Sequence, residues 1–560
     1  MKRYLTGLLA IAALCLVSCN QDRLNEDQKG VISMESFYQT ADDAESAVIA
    51  AYRAGMYCFN MGSGFTVSWC IAPPLFVLEN APSDDIYYAS GNKDDHVFGL
   101  EINEYRASFT DNSTVIANIF NGLYQMIYAC NLVTDHFSYG DDDRINRAVA
   151  EASVLRAWAH FKLYTYWGDA PKVDHVLLGS DKPGNTPRAE LLDWIISELA
   201  TAAKYLPSKS GLNDGNMAVR LTKEAALAFE GKAEVFKGDM AAARKSLGAV
   251  ISSGKYALVE GSRMHDLFHM AGDACEEKIF EYNYINNPGN DPTFDGIAHF
   301  QVNQSCFWRD IYLPNVLIPN DGWGGVNPSA SFSEALIAND GMDSYRRKAW
   351  ILTYDDMIYN MPYDDDADVN TDELKSKDPL RGIKSKNGVF GNAGYWSYKL
   401  APLRSDLIVN NTSTTQQNDI VMRYAEVLLL YAEACVGNDP DGSGLKALQE
   451  VQKRAGSAHV SSVLTLDEVK NEKRYEMYLE GCRFADLVRW GDAPRVLGEQ
   501  GKSVPTAYDK INEGNATHEL YVKYSSYNDV YGFKQGKNEL MPYPYTERSI
   551  NPNIVQNPGW

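Results

Sequence analysis

The stretch AALAFEGKAEVFKGDMAAARKSLGAV (225–250) decides the fold class of this 560-residue chain. Its small and apolar residues stand at the spacing that a tetratricopeptide repeat uses, with Gly231 and Gly238 among the small positions. Small residues at such positions let two helices approach closely. We therefore predict a helical hairpin over this stretch.

A second, degenerate copy of the pattern lies in 423–456, where AEVLLLYAEA is followed by a turn and then by LKALQEVQKRAG. Apolar residues at helical spacing predict further helices on either side of both stretches. The predicted helices span residues 41–57, 114–137, 144–167, 188–205, 223–236, 241–252, 419–436, 445–455 and 467–479. The sequence thus predicts a mainly α fold with tetratricopeptide-like helical hairpins.

Residues 255–418 have a different character. They are rich in Asn, Gly, Pro, Asp and aromatic residues, and few of them follow a helical period. We predict long loops, short strands and one helix near 332–338, packed against the hairpins. Long irregular segments in a compact body are usually functional, so we expect part of the binding site here.

The overall composition excludes some classes of protein. The chain is 45% hydrophobic, which excludes general disorder because it provides enough apolar material for a large packed body. Its formal net charge is -22, so we expect no basic face that binds nucleic acid. The scattered cysteines contain no CxxC pair and indicate neither a zinc framework nor a disulfide scaffold.

The first eighteen residues, MKRYLTGLLAIAALCLVS, have the layout of a secretory signal. Their apolar run is too short to span a bilayer comfortably. The run ends in Leu16-Val17-Ser18-Cys19, which resembles a bacterial lipobox, so we predict cleavage before Cys19 and acylation of that residue. Two or more acyl chains anchor a protein stably. The polar residues that follow, up to residue 30, are typical of a flexible leash.

Motifs for catalysis are absent from the sequence. The chain contains no GxSxG elbow, Walker loop, HExxH pair or dinucleotide-binding glycine pattern. His265 and His269 are four residues apart, but the sequence offers them no obvious carboxylate partner for a metal site. In NEKRYEMYLEGCRFADLVRWGD (471–492), charged residues at helical spacing are expected to form structural ion pairs. We predict that the chain is not an enzyme and requires no cofactor.

One motif, DPDGSG (439–444) with a glutamate at 450, matches the outline of a calcium loop. Lys446 and Pro440 are unusual in such a loop, and a linker between two helices also favours Asp, Gly and Ser. A structural calcium ion and a plain linker are therefore both compatible with the sequence. The candidate calcium ligands are Asp439, Asp441, Ser443 and Glu450.

Aromatic residues make up 11% of the chain, including 34 Tyr and 10 Trp. Sugars present apolar C–H faces and hydroxyl groups, so a carbohydrate site needs flat aromatic surfaces beside hydrogen-bonding side chains. Three stretches combine these features: 65–92, 282–323 and 394–404. The candidate ligand-binding residues are Trp69, Asp84, Tyr87, Tyr284, Phe294, Phe307, Trp308, Trp323, Tyr395 and Trp396.

Six segments, in order along the chain, match the pattern of one known family. They are SMESFYQTADDAESAVIAAY (33–52), IFNGLYQMIYACNLV (119–133), AEASVLRAWAHFKLYTYWGDAPKV (150–173), GWGGVNPSASFSEAL (322–336), the 471–492 stretch and SINPNIVQNPGW (549–560). Together, and behind a lipobox, they resemble the SusD/RagB family of outer-membrane nutrient-binding lipoproteins. Cys482 and Trp560 depart from the family pattern, which favours a polar residue such as His and a Tyr there.

The resemblance implies a surface-exposed outer-membrane lipoprotein whose helical body, with four hairpins, caps a SusC-like TonB-dependent transporter. It implies binding of a glycan or oligosaccharide by loops in 65–92 and 282–323, delivery to that transporter, and membrane contact through the lipid anchor alone. Three alternatives stay open: a peptide-binding receptor of the same transport system, a surface glycoside hydrolase, and an assembly lipoprotein without a ligand.

The predicted organisation is one compact body behind a removed signal. It consists of a signal peptide (1–18), a leash (19–30), an N-terminal helical region (31–254), a loop-rich ligand-binding region (255–418) and a C-terminal helical region (419–560).

Overall fold

The computed structural model describes residues 37–60, 74–89, 92–94, 97–212, 219–283, 325–359, 383, 385–401, 403–406, 417–527 and 530–560. Helices dominate these residues, which confirms the predicted mainly α class. The helices are α1 Ala41–Asn60, α2 Pro74–Asn80, α3 Val97–Asn103, α4 Thr114–His136, α5 Asp143–Trp167, α6 Arg188–Ala202, α7 Lys223–Lys237, α8 Met240–Ser252, α9 Ala330–Asp340, α10 Tyr345–Trp350, α11 Tyr354–Tyr359, α12 Tyr424–Cys435, α13 Ser443–Arg454, α14 Leu466–Glu476, α15 Arg483–Arg489, α16 Ala493–Leu497 and α17 Tyr545–Ile550.

Local sequence fixes where several of these helices begin. Four helices begin at a capping side chain: α4 at Ser113, α5 at Asp142, α7 at Thr222 and α8 at Asp239. In each, a side-chain oxygen of the capping residue accepts a hydrogen bond from a backbone N–H in the first turn of the helix. Such caps satisfy N–H groups that have no partner inside the helix. Within the described residues, no helix has both the length and the apolar character needed to cross a membrane.

Both predicted hairpins are present. Helices α7 and α8 pack against each other, and α12 packs against α13. Gly231 allows the close approach in the first hairpin, because a Cβ atom at this position would lie 2.4 Å from Cγ of Leu247. The first helix of the second hairpin begins later than the predicted span of 419–436, because residues 419–423 form a strand.

The strands are short and pair in small antiparallel sheets. They are β1 Ile86–Tyr88, β2 Lys278–Tyr282, β3 Val326–Pro328, β4 Ile351–Thr353, β5 Val389–Phe390, β6 Tyr395–Ser397, β7 Asp419–Arg423, β8 Ser503–Asp509 and β9 Leu520–Ser526. The pairs are β1 with β3, β2 with β7 and β4 with β6, while β5, β8 and β9 form a three-stranded sheet in that order.

A stretch near the C-terminus packs against α5. The indole N–H of Trp167 donates to the carbonyl oxygen of Pro542 at 3.0 Å, and the Asn557 amide donates to the carbonyl oxygen of Trp167 at 3.0 Å. The backbone N–H of Met541 donates to the carbonyl oxygen of Tyr166 at 2.7 Å. These bonds close the last turn of α5 with residues that lie more than 370 positions away in sequence.

Between the C-terminal helices lies a buried group of charges that we call the arginine cluster. The exposed fractions of Arg346, Arg423 and Arg454 are 0%, 0% and 9%, and all three pair with carboxylates, most of which are themselves buried. Arg423 contacts Glu277 at 2.8 Å and Glu476 at 2.6 Å. The partners of the cluster are Glu277, Asp340, Glu472, Glu476 and Glu480. The predicted structural ion pairs of the 471–492 stretch are therefore confirmed.

Candidate functional site

Seven predicted site residues lie outside the described residues, and eight lie within them. Those outside are Cys19, Trp69, Tyr284, Phe294, Phe307, Trp308 and Trp323. Those within are Asp84, Tyr87, Tyr395, Trp396, Asp439, Asp441, Ser443 and Glu450.

Short strands link the first and third predicted binding stretches through β3. Strand β1 belongs to the first stretch, β3 directly follows the second, and β6 belongs to the third. β1 pairs with β3, and β3 packs against β6. The side-chain amide of Asn392 links β3 and β6. It donates to the side-chain oxygen of Asn327 on β3 at 3.1 Å and to the carbonyl oxygen of Tyr395 on β6 at 2.9 Å.

Two tyrosines and a glutamate form an accessible surface at this junction, which we call the tyrosine patch. Tyr395 is half-buried, Tyr524 on β9 is 58% exposed, and Glu334 on α9 is exposed. Partial burial raises the pKa of both phenols, and the negative charge of Glu334 adds to this rise. The patch consists of Tyr395, Tyr524 and Glu334.

The packing of β9 explains how Tyr524 reaches the patch. Alternate residues of a strand share a face, so Leu520, Val522 and Tyr524 lie on one side of β9. Leu520 packs against the turn before β6, because a Cβ atom on Gly394 would lie 2.5 Å from Cδ2 of Leu520. Tyr524 and Glu334 were not predicted as site residues. The alternation in LYVKYSS (520–526) is the signal that identifies the strand and the shared face.

A cleft of about 700 Å³ begins beside the patch. Ser331 lines the cleft, and Glu334 follows it three residues later on α9, so the two exposed side chains share one face of the helix. The lining is polar and carries both signs of charge. It includes Asp84, Ser331, Arg474, Arg483, Trp490 and Asp492.

Comparison with known proteins identifies the family. A model of the SusD family matches residues 276–560, which is more than half of the chain. The chain belongs to the SusD family. A second family model, described as starch-binding and associating with the outer membrane, matches residues 83–233.

Individual members of the SusD family match over most of their length. SusD-like protein P2 of Formosa agariphila is 24% identical over 592 residues and covers 100% of both chains. Starch-binding protein SusD of Bacteroides thetaiotaomicron is 24% identical over 456 residues, covering 77% of this chain and 76% of the relative. Surface glycan-binding protein A of Bacteroides thetaiotaomicron, solved in complex with laminarihexaose, gives a TM-score of 0.69 at 19% identity, covering 92% of this chain and 99% of that structure. The structural likeness shows a shared fold.

In this SusD-family chain, Asp84 is one of the charged residues that line the cleft. Its oxygens lie 2.8 Å from Arg474 and 2.8 Å from Arg483. Burial opposes ionisation of the carboxyl group, but the two guanidinium groups outweigh it and hold the pKa of Asp84 below its usual range. Arg474 also pairs with Asp85 at 2.7 Å. The predicted contact between Asp84 and a ligand stays a prediction.

Tyr87 and Trp396 are packing residues rather than ligand platforms, which corrects the prediction. Tyr87 is 6% exposed, and its hydroxyl donates to Glu104. Trp396 is 1% exposed in a small core that contains Leu352 and Tyr354. Because neither ring presents a face to solvent, neither can stack on a sugar in this structure.

The candidate calcium ligands do not converge, so the predicted calcium loop is a helix cap. Both side-chain oxygens of Asp439 accept backbone N–H groups of the first turn of α13, from Gly444 and Leu445, at 2.9 Å. Asp441 accepts from the backbone and hydroxyl of Ser443. Glu450 lies on α13 seven residues after Ser443, roughly 10 Å along the helix axis, so it cannot share an ion with them.

His265 and His269 meet in the fold, together with a carboxylate. Nδ1 of His269 lies 2.6 Å from Asp406, and its Nε2 lies 3.2 Å from Nε2 of His265. The carboxylate therefore contacts the ring nitrogen that faces away from the second histidine. Across the part of the chain that the structure describes, no group of three or more His, Cys, Asp or Glu side chains is arranged to hold a metal ion.

Proposed function

We propose that this chain is a lipid-anchored outer-membrane protein on the cell surface that captures a glycan and delivers it to a SusC-like TonB-dependent transporter. The observation that carries the proposal is the tyrosine patch, together with the polar 700 Å³ cleft that Asp84 and Ser331 line. Membership of the SusD family supports it, as do the relatives described as starch-binding and as bound to laminarihexaose.

The chemistry of the patch suits a sugar. The exposed ring of Tyr524 and the half-buried ring of Tyr395 offer apolar faces for the C–H face of a pyranose. Glu334 offers two acceptor oxygens for sugar hydroxyls. Ser331 continues the polar surface into the cleft, where an oligosaccharide has room to extend.

Two aspartates that line the cleft are poorly suited to act as a general acid. A glycoside hydrolase needs one carboxyl group with a raised pKa to protonate the leaving oxygen. In the cleft, Asp84 and Asp492 both have lowered pKa values. Arginines cause this for Asp84, and hydrogen bonds from Lys470 and Arg495 cause it for Asp492. We propose that no bond is broken and that release follows movement of the complex with the transporter.

Anchoring and partnership complete the proposal. Acylation of Cys19 would hold the chain at the membrane through at least two lipid chains. The membrane contact is proposed to run through this anchor alone. Transfer of the glycan then requires a transporter, and the SusC-like TonB-dependent type is the partner that membership of the SusD family implies.

Calorimetry on the full-length chain in detergent tests the capture step. The titrants are neutral oligosaccharides and peptide digests, and chromatography of the same samples detects cleavage. We expect saturable glycan binding without products. We expect Tyr524→Ala and Tyr395→Ala each to weaken it about fivefold, as loss of roughly 1 kcal/mol of stacking predicts.

Tyr545→Ala is the matched control, because Tyr545 is 57% exposed and lies on α17, outside the patch and the cleft lining. Binding of peptides alone would favour the peptide receptor, and released sugars would favour the hydrolase. Affinity purification from the native outer membrane tests the partner. Recovery of the chain without a TonB-dependent transporter would contradict the delivery step.

A further inference from the structure

We infer that Trp490 forms a pyranose-binding subsite inside the 700 Å³ cleft, separate from the tyrosine patch. The inference rests on the proposed glycan-binding function and names the side chain on which one sugar unit of the ligand stacks. Three features of the described residues carry it: an indole ring that lines the cleft, the contacts that hold this ring in place, and the hydrogen-bonding groups beside it.

The indole of Trp490 is part of the cleft lining. Trp490 directly follows α15, and it lines the cleft together with Leu487 and Val496. Trp490 and Val496 are half-buried, whereas Leu487 is buried. These three residues form the apolar part of a lining whose other residues are all polar or charged. A sugar ring has an apolar C–H face, so a flat aromatic ring in a polar cleft suits it.

Contacts from outside the cleft lining fix the position of the indole. Its N–H donates to Oε1 of Glu433 at 2.9 Å. The Cζ atom of Arg489 lies 4.7 Å from the centre of the ring, and Arg489 pairs with Glu433 at 2.5 Å and with Asp486 at 2.8 Å. Glu433 and Arg489 are therefore the residues that hold the ring from the protein side. A ring that is already held in place loses little conformational freedom when a sugar binds to it.

Donors and acceptors lie beside the ring. Nζ of Lys470 lies 5.1 Å from the ring centre and 2.7 Å from Oδ2 of Asp492. Arg495 contacts Oδ1 of Asp492 at 2.9 Å. Asn471, an exposed residue of α14 that also lines the cleft, adds a side-chain amide. Sugar hydroxyl groups both donate and accept hydrogen bonds, so a sugar on the ring finds both kinds of partner here.

The charged residues of the cleft lining balance in sign. The four acidic residues are Asp84, Asp467, Asp492 and Glu499, and the four basic residues are Lys470, Arg474, Arg483 and Arg495. The lining therefore has no net formal charge. Asp84 and Asp492 each contact two of the basic residues. Such a lining suits the uncharged hydroxyl groups of a sugar, which need hydrogen-bond partners but no counter-charge.

Two substitutions of Trp490 test the subsite by calorimetry with the full-length chain in detergent. The probe is the tightest binder among neutral gluco-, manno- and galacto-oligosaccharides. Trp490→Leu removes the flat ring but keeps an apolar side chain, so it should weaken binding at least tenfold. Trp490→Phe keeps a flat ring and loses the N–H bond to Glu433, so it should weaken binding less than threefold. A role in stability alone would not produce this difference in affinity between the two variants.

A second position tests the cleft without altering the ring. Asn471→Leu removes an amide from the cleft lining and should weaken binding of the same probe about fivefold, as loss of one hydrogen bond predicts. Asn438→Leu is the matched control, because Asn438 is exposed between α12 and α13, outside the cleft lining. The control should bind like the wild type. Circular dichroism checks that every variant is folded.

Each outcome has one meaning. Wild-type affinity of folded Trp490→Leu overturns the inference and leaves the glycan-binding function standing. Equal weakening by Trp490→Leu and Trp490→Phe, or by Asn471→Leu and Asn438→Leu, also overturns it. If Trp490→Leu does not fold, wild-type affinity of Asn471→Leu overturns the inference. If the wild type binds none of the oligosaccharides, the proposed function fails, and the inference fails with it.

Discussion

The apolar face of α4 and the arginine cluster are equally buried but are held by different chemistry. In α4, Ile116, Ile119 and Leu123 are all 0% exposed and contact other apolar side chains of the main core. In the cluster, Arg346 and Arg423 are also 0% exposed but contact carboxylates. When an apolar side chain is shortened, the stability that is lost grows with the number of atoms removed. When one charge is removed, its charged partners stay buried without a counter-charge. The C-terminal part of the fold is therefore the more specific and the more brittle of the two.

The largest effect is expected from breaking the cluster. Arg423→Met keeps an apolar stem but leaves Glu277, Glu476 and Glu480 without one of their cations. We expect a loss of about 3–5 kcal/mol in the free energy of unfolding. Urea denaturation followed by tryptophan fluorescence measures it. A loss below about 1 kcal/mol would mean that the cluster contributes little beyond an apolar core.

Acid should weaken the same cluster. Burial opposes the charge of Glu476, but Arg454, Arg423 and Arg346 outweigh it and hold the pKa of Glu476 far below its ordinary value of 4.5. A carboxyl group with a lowered folded pKa stabilises the fold above its unfolded pKa, and this stability is lost progressively as the pH falls toward the folded pKa. Glu476→Gln should therefore cost about 3 kcal/mol at neutral pH, and less below about pH 4.5.

Urea denaturation of both forms across this pH range gives the measurement. If the difference in the free energy of unfolding between wild type and Glu476→Gln stayed constant down to about pH 3, the stabilisation by Glu476 would not come from its charge.

A smaller effect is expected in the apolar part of the fold. Gly231→Ala places a methyl group 2.4 Å from Cγ of Leu247, closer than carbon atoms can approach. We expect about 1–3 kcal/mol of destabilisation from overpacking between α7 and α8. The second substitution Leu247→Ala makes room, so the double variant should lose less than the sum of the single losses. If the losses of the two single variants were strictly additive in the double variant, the strain would not come from the contact with Leu247.

The smallest effect is expected from an exposed ion pair. Arg144 lies 2.5 Å from Asp42, but the two side chains are 56% and 83% exposed. Arg144→Met is the same substitution as Arg423→Met in a solvated setting, and it should cost less than about 1 kcal/mol and nothing measurable at high salt. If Arg144→Met lowered the free energy of unfolding as much as Arg423→Met, burial would not explain the difference between buried and exposed ion pairs.

The sequence predicted the long helices well and the short strands poorly. A helix such as α4 repeats its apolar spacing over six turns, whereas β6 has three residues and leaves no periodic signal. Residues 419–423 were assigned to a helix because the apolar run continues into α12. These residues pair with β2, which lies more than 130 residues away in sequence. The local spacing of apolar residues cannot predict such a long-range contact.

For the candidate site, the sequence did not distinguish surface aromatic residues from buried ones. An aromatic residue beside glycines looks the same in sequence whether it becomes a half-buried residue at the surface, as for Tyr395, or a core residue, as for Trp396. The two are neighbours on β6, and the alternation of the strand decides between them. Tyr524 was not predicted, because local sequence does not show that β9 packs against the turn before β6.

The attachment of residues 541–557 to α5 has a consequence for biogenesis. The carbonyl oxygen and indole N–H of Trp167 obtain partners from Asn557 and Pro542. During synthesis from the N-terminus, α5 therefore emerges long before the segment that completes it. Contacts of such high sequence separation form late and slowly. The N-terminal hairpins are incompletely sealed, and open to chaperones and proteases, until residue 557 has emerged.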